Sequence, residues 1–330
     1  MTRVFVTHNR EDLDAYYGRA LPELQTIAEV KVNPVGRNLT TDELIDVARD
    51  CEVIVSHRST PGERELFERS PSLLAFLRCA VDISDVDVQA ASDTGVLVAH
   101  ADKSFVPSTA ELALALMLDS ARNVSESVVD YRTGREPLQR PGRQLRGRVA
   151  GIIGFGAIGS YLTDLLTGLG MQVLVTDPFV TVEHDSARAV ELEELLEQSD
   201  YVLPLAPADP TTANLIGAPE VDAMKDGAVL VNVSRGELVD EVAVALALDE
   251  GRLGGLAMDV GRAPDQRPSI DLAGRTGVVA TPHLGGLTPE NADAQAGSSV
   301  EQVRAIVAGT MPPRSVNPDA ADRLRAAWGS

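Results

Sequence analysis

The segment Gly154-Phe155-Gly156-Ala157-Ile158-Gly159 constrains this chain more than any other. An apolar run, Val149-Ala150-Gly151-Ile152-Ile153, leads into it, and the helix-forming stretch Tyr161-Leu162-Thr163-Asp164-Leu165-Leu166 follows. A second apolar run, Met171 to Thr176, ends at Asp177, 18 residues beyond the last glycine. Strand, glycine turn, helix, strand and acid in that order form a βαβ unit whose turn can receive a pyrophosphate. Gly154 permits the tight turn, Gly156 lets the backbone approach a phosphate, and Gly159 lets helix and strand pack closely. The helix N-terminus at Ala157 and Ile158 adds unpaired N–H groups and a partial positive charge. Asp177 is placed to accept hydrogen bonds from ribose hydroxyls and to repel a 2′-phosphate, so NAD is preferred over NADP.

Bulk properties narrow the class further. A chain of 330 residues is long enough for two domains with separate cores. Its formal charge of −20 argues against nucleic acid or an anionic membrane as a partner. Cys51 and Cys79 are the only cysteines and read as reduced thiols in a reducing compartment. The N-terminus runs straight into a strand with no signal-peptide pattern, and no apolar run reaches ~18 residues. The expected location is therefore the cytoplasm. His8, His57, His100 and His184 are scattered without metal-ligand spacing, so no metal is expected.

Short apolar runs at Val4-Phe5-Val6, Val53-Ile54-Val55, Leu74–Leu77 and Val96-Leu97-Val98 read as strands. Asp42 to Ala48 and Asp85 to Ala91 read as helices between them, giving an α/β unit with a mainly parallel sheet. Ser108 and Glu111 have capping-box spacing before the apolar helix Leu112 to Leu118, which reads as buried between two domains. Six arginines between 132 and 148, interrupted by prolines and glycines, read as a solvated arm, with a subunit contact as the alternative. From Val149 the alternation is regular, with strands expected at 149–153, 171–176, 201–205, 228–233, 254–260 and 278–280. Thr288-Pro289-Glu290 reads as a helix start, with Ala292, Ala296, Val300, Val303 and Val307 on one face.

Ligands of such sheets bind at the carboxyl ends of the strands. Arg235 follows the run Val231-Asn232-Val233-Ser234, Asp259 follows Ala257-Met258, and His283 follows Val279-Ala280-Thr281-Pro282. Together with Arg58-Ser59-Thr60, the Pro207 to Thr212 turn, Gly285 and the closing Val316-Asn317-Pro318, these segments resemble the D-isomer-specific 2-hydroxyacid dehydrogenase family over nearly the whole chain. That resemblance implies two Rossmann-like or flavodoxin-like parallel-sheet domains, an α/β fold. A cofactor domain (103–287) would be inserted into a substrate domain (1–102 and 288–330). It also implies an NAD-dependent enzyme acting on a small-molecule substrate, a D-2-hydroxy acid or its 2-oxo acid, in a homodimer.

The roles carried over are chemically coherent. Arg235 would bind the substrate carboxylate and carbonyl oxygen, a fork matched to two oxygens. His283 would give that oxygen a proton in reduction and take it back in oxidation. Asp259 would hold the nicotinamide carboxamide, with Val233, Ser234, Arg235, His283 and Gly285 around the ring and Pro207 and Thr212 on the cofactor. Arg58, Val81 and Asp82 would contact substrate.

Two segments depart from the family pattern. Where relatives carry a glutamate before a proline, this chain reads Asp259-Val260-Gly261-Arg262-Ala263-Pro264-Asp265, with alanine in the glutamate's place. Asp265 is the nearest acid that could replace it. Where relatives use a glycine-rich carboxylate-binding turn, this chain reads Cys79-Ala80-Val81-Asp82-Ile83-Ser84, and left-handed backbone at Ala80 or Asp82 would be strained. These departures leave two alternatives: a dehydrogenase for a larger or less anionic hydroxy compound, and an NAD-responsive corepressor-like binding protein with weak catalysis.

Overall fold

The computed structural model describes residues 1–263 and 265–329. Cα packing separates it into two units, Met1–Ser104 with Pro289–Ser330, and Phe105–Thr288. The first unit holds β1 (Arg3–Val6), β2 (Glu29–Val32), β3 (Val53–Ser56), β4 (Ala75–Arg78) and β5 (Leu97–His100). They form a five-stranded sheet ordered β2-β1-β3-β4-β5, with every pairing parallel. This is the 2-1-3-4-5 order of flavodoxin-like sheets.

The second unit holds β6 (Val149–Ile153), β7 (Gln172–Thr176), β8 (Ala187–Ala189), β9 (Tyr201–Pro204), β10 (Val229–Asn232), β11 (Gly255–Met258) and β12 (Val278–Ala280). Its seven strands run β12-β11-β10-β9-β6-β7-β8, again all parallel. The order reverses between β6 and β9. A dinucleotide crevice lies at such a switch point in doubly wound sheets.

Side-chain alternation explains why both sheets are covered on two faces. Ile152, Val173, Val175, Leu203, Val229, Val231 and Ala257 enter one core, while Ile153, Leu174, Val202, Leu230, Leu256 and Met258 enter the other. The first unit divides in the same way, with Val4, Val6, Val53, Val55 and Leu77 on one side and Phe5, Ile54 and Phe76 on the other. Each of the larger side chains, valine and above, contributes roughly 1.5–3 kcal/mol by leaving water. The C-terminal segment belongs to this unit because Asn317 accepts from Val98 N at 2.7 Å and donates to Val96 O at 2.9 Å.

Several local expectations need correction. β2 and β8 escaped the sequence reading because both are edge strands, β2 carrying Glu29 and Lys31 where a central strand would be apolar. Ser108 does not cap its helix, which runs Val106–Arg122; its Oγ donates to Phe105 O at 3.0 Å. Pro107 in the first turn starts the helix earlier. That helix is not apolar all round either: Ala110, Ala113 and Met117 are buried while Leu118 is 42% exposed. The expected helix at Asp85 begins only at Val88, capped by Asp87 accepting from Ala90 N at 2.8 Å. In the Pro289–Val307 helix, Ala296, Val300 and Val303 are buried but Val307 is 48% exposed. The arginine-rich segment from 132 is largely exposed, and only Leu145 within it is buried.

One buried group is expected to make the first unit acid-sensitive. His8 is fully enclosed, its ring stacked on Tyr17 at 4.0 Å and edge-on to His57 at 5.1 Å and Tyr16 at 5.7 Å. Burial, reinforced by His57, holds its pKa well below the ordinary histidine value. Burial also lowers His57, opposed by Asp12 beside it. A lowered folded pKa means that the unfolded chain binds more protons below about pH 6.5, so stability falls as pH drops through that value. The slope is up to about 1.4 kcal/mol per pH unit for each proton. Thermal melts between pH 7.5 and 5.5 should show this decline, and His8→Phe, which keeps the ring stack, should flatten it. An unchanged slope in that variant would remove His8 as the cause.

Candidate active site

Gly154 leaves β6 with φ +101°, and a Cβ there would stand 2.7 Å from Ala206 N. A Cβ on Gly159 would meet Gly154 O at 2.6 Å, whereas one on Gly156 would point into open space. Two glycines therefore serve the protein's own packing, and the third keeps the entrance clear. The Ala157–Gly168 helix begins there with no side chain capping its first N–H groups. Asp177, at the end of β7, accepts from Phe155 N at 2.7 Å through Oδ2, and from Phe179 N at 2.8 Å and Val180 N at 3.0 Å through Oδ1. Its carboxylate thus shapes the loop it was expected to serve. The arrangement fits a dinucleotide pyrophosphate over the helix start with an acid at the adjoining strand end.

The neighbouring strand ends are tied to one another in a row. Ser234 Oγ donates to Ala206 O at 3.0 Å, joining the loop after β10 to the loop after β9. Further along that second loop, Thr212 Oγ1 donates to Pro207 O at 2.7 Å, closing the exposed turn. Asn232, almost fully buried, accepts from Ser234 N at 3.1 Å and donates to Arg235 O at 2.8 Å. These bonds fix the backbone on which Val233, Ser234 and Arg235 sit. Arg235 is half-buried, and its Nη1 donates to Ser234 O at 2.9 Å. The parallel register places Asn232 beside Met258 and Met258 beside Ala280, so the loops carrying residues 233–235, 259 and 281–285 start level.

Asp259 is gripped by the loop that carries His283. Its side chain is fully enclosed: Oδ1 accepts from Thr281 Oγ1 at 2.6 Å and Leu284 N at 2.7 Å, and Oδ2 accepts from Gly285 N at 2.8 Å. Its carbonyl accepts from His283 N at 2.9 Å. Both carboxylate oxygens are thus engaged by the histidine loop. This clamp surrounds a strained residue, since His283 has φ +63°. Left-handed backbone is uncommon for any residue but glycine, and an imidazole residue is among those that tolerate it.

The substrate-side candidates lie at strand ends of the first unit. Arg58 follows β3 and is exposed, and Val81 and Asp82 follow β4. The loss of glycine here causes no strain, because neither Ala80 nor Asp82 has positive φ. Asp82 Oδ1 accepts from Ser84 N at 2.9 Å, closing a local turn. Ala80 and Val81 keep backbone N–H groups that make no hydrogen bond among the described residues. Asp265 does not turn inward as a substitute acid. Its carboxylate, 57% exposed, pairs with Arg267 at 3.4 Å, while Ala263 O accepts from Gln266 N at 2.7 Å in a turn with Gln266 at φ +59°.

Sequence reasoning missed Asn232, whose signal was an amide between an apolar strand and a candidate arginine. It also missed Arg78, which no local pattern marks. Neither a cluster of metal-binding side chains nor a helix long and apolar enough to cross a membrane occurs among the described residues.

Residues 114–285 match the family model described as D-isomer specific 2-hydroxyacid dehydrogenase, NAD binding domain. D-3-phosphoglycerate dehydrogenase of Methanocaldococcus jannaschii is 31% identical over 324 residues, covering 96% of this chain. The chain spans only 60% of that relative's length. Glyoxylate reductase of Korarchaeum cryptofilum is 33% identical over 282 residues, covering 83% of this chain and 85% of that protein. Among solved structures, the TT0316 protein of Thermus thermophilus superposes with TM-score 0.85 at 31% identity, covering 96% of this chain and 100% of that one.

Proposed function

Because the chain belongs to the D-isomer specific 2-hydroxyacid dehydrogenase family, we propose that it reversibly reduces a 2-oxo acid to its D-2-hydroxy acid with NAD. One observation carries this reading: the glycine loop, Arg235 and the clamped His283 sit on a connected series of strand ends in one parallel sheet. NAD, when bound, supplies or accepts the hydride.

The chain's own residues do the rest. Gly154, Gly156, Ala157, Ile158 and Gly159 hold the pyrophosphate, and Asp177 the adenosine ribose. Pro207, Thr212, Val233, Ser234 and Gly285 line the remainder of the cofactor. Arg235 binds the substrate carboxylate and carbonyl oxygen, and its permanent charge stabilises the negative charge developing on that oxygen. His283 donates a proton to the same oxygen in reduction and removes it in oxidation. Asp259 holds His283 in place. Arg58 and the backbone at Val81 and Asp82 contribute to substrate recognition, which makes Met1–Ser104 with Pro289–Ser330 the substrate unit. The same reading gives a cytoplasmic homodimer, and light scattering of the purified protein tests the second part. The corepressor-like alternative gains nothing from the relatives, both enzymes by name.

Steady-state NADH oxidation with a panel of 2-oxo acids, from pH 5 to 9, tests the proposal. Absence of turnover with every acid would overturn it. Cofactor choice gives a sharper check at Asp177. Replacement by Asn removes the charge yet keeps an acceptor for the Phe179 and Val180 N–H groups. The ratio of kcat/KM for NADH over NADPH should fall about tenfold, since a 2′-phosphate no longer meets a carboxylate. Unaltered selectivity would show that another group reads the ribose.

A further inference from the structure

Arg78 is the largest fully buried side chain among the described residues, and it stands at the last position of β4, within a sheet end proposed to face substrate. Burying a guanidinium is unfavourable unless it is well paired, so its partners indicate what it holds. Nη1 donates to His57 O at 2.6 Å, the carbonyl just before Arg58. Nη2 donates to Asp85 Oδ1 at 2.5 Å, just beyond the loop that carries Ala80, Val81 and Asp82. One planar fork thus spans two loops that leave adjacent strands.

Other contacts sew the same loops together around this fork. His57 O also accepts from Thr60 N at 2.9 Å, closing the turn that presents Arg58. Gly62 N donates to Asp85 O at 3.0 Å and Asp87 N to Gly62 O at 2.7 Å. Between these anchors, Ala80 O accepts from Ala101 N at 3.1 Å, and the unbonded N–H groups of Ala80 and Val81 fall in that span. Asp85 is 41% exposed on its side chain, so solvent alone could satisfy it. The arginine has no such option.

We propose that Arg78, through its pair with Asp85, is a positioning residue that fixes the spacing between Arg58 and the anion-binding N–H groups of Ala80 and Val81. It touches no substrate itself. A lysine keeps the charge but presents one ammonium where two acceptors on separate loops need a fork, so Arg78→Lys is not a conservative change here. This inference rests on the dehydrogenase reading for its kinetic consequence but not for its structural one.

The test uses the full chain with Arg78→Lys and, because a buried arginine is a risk to folding, Asp85→Ala as a second variant. Hydrogen–deuterium exchange of peptides covering 57–62 and 79–87 is measured beside steady-state kinetics. Exchange in both peptides should rise about tenfold or more as the loops lose their common anchor. KM for the 2-oxo acid should rise ~10-fold or more through misplacement of binding groups, while the NADH dissociation constant stays within twofold. Folded variants with unchanged exchange in the two peptides overturn the proposal. So does a lowered melting temperature with wild-type KM, since a merely structural residue would behave that way. Raised exchange in an enzyme whose wild type turns over no 2-oxo acid would sustain the strut and sink the dehydrogenase reading instead.

Discussion

Arg235→Ala is expected to lower kcat/KM for 2-oxo acid reduction by about 10³-fold, the scale typical of losing a positioned charge at a developing oxyanion. The loss follows from the role proposed for the side chain at two oxygens together. On that proposal both the grip on the carboxylate and the field at the carbonyl would disappear with it, and water would restore neither in the right place. NAD binding should stay within twofold, because the residues proposed to hold the pyrophosphate and ribose are Gly154 to Gly159 and Asp177. Arg235→Lys should fall between, near 10²-fold, since a point charge replaces the field but not the fork. The backbone around position 235 is held by Asn232, so neither change should unfold the loop. Equilibrium titration with NADH beside single-turnover reduction separates binding from chemistry. An alanine variant retaining more than about a tenth of wild-type kcat/KM would leave Arg235 outside the reacting centre.

Much of this was legible because physics writes it locally. Central parallel strands are buried on both faces, so β3, β4, β6 and β9 stand out as continuous apolar runs. The glycine loop is equally readable, since Gly159 answers a steric demand made within one βαβ unit, although the demand on Gly154 comes from the loop after β9. Edge strands are another matter. Lys31 can sit in β2 only because one side of that strand has no neighbour, which depends on sheet order and not on the residues themselves. The hold of the next loop on Asp259 was hidden for a related reason. A carboxylate at a strand end reads equally well as a ligand for a cofactor or for the backbone of the next loop. Only the turn at Thr281 to Gly285, folding back to enclose it, reveals the second of these. Arg78 was the least visible of all. Its partners lie 21 residues earlier and 7 later, and an arginine after Ala75-Phe76-Leu77 looks like the polar end of a strand.

His283 offers the second large effect and a way to separate the imidazole from its support. Alanine would disturb the left-handed backbone at φ +63° as well as remove the ring. Asparagine tolerates that conformation, so His283→Asn isolates the chemistry. Its kcat should fall about 10²- to 10⁴-fold, the usual contribution of a positioned general acid, with KM for the 2-oxo acid little changed. Asp259→Asn should give a smaller kcat loss, about tenfold, because an amide cannot accept all three hydrogen bonds the carboxylate now receives and the loop relaxes. If Asp259 acts only by holding the imidazole, its replacement has nothing left to disturb once that imidazole is gone. The double variant should then match His283→Asn alone in kcat, a strongly non-additive cycle. Multiplied losses would instead mean that the buried carboxylate reaches the reaction by a route that does not pass through position 283.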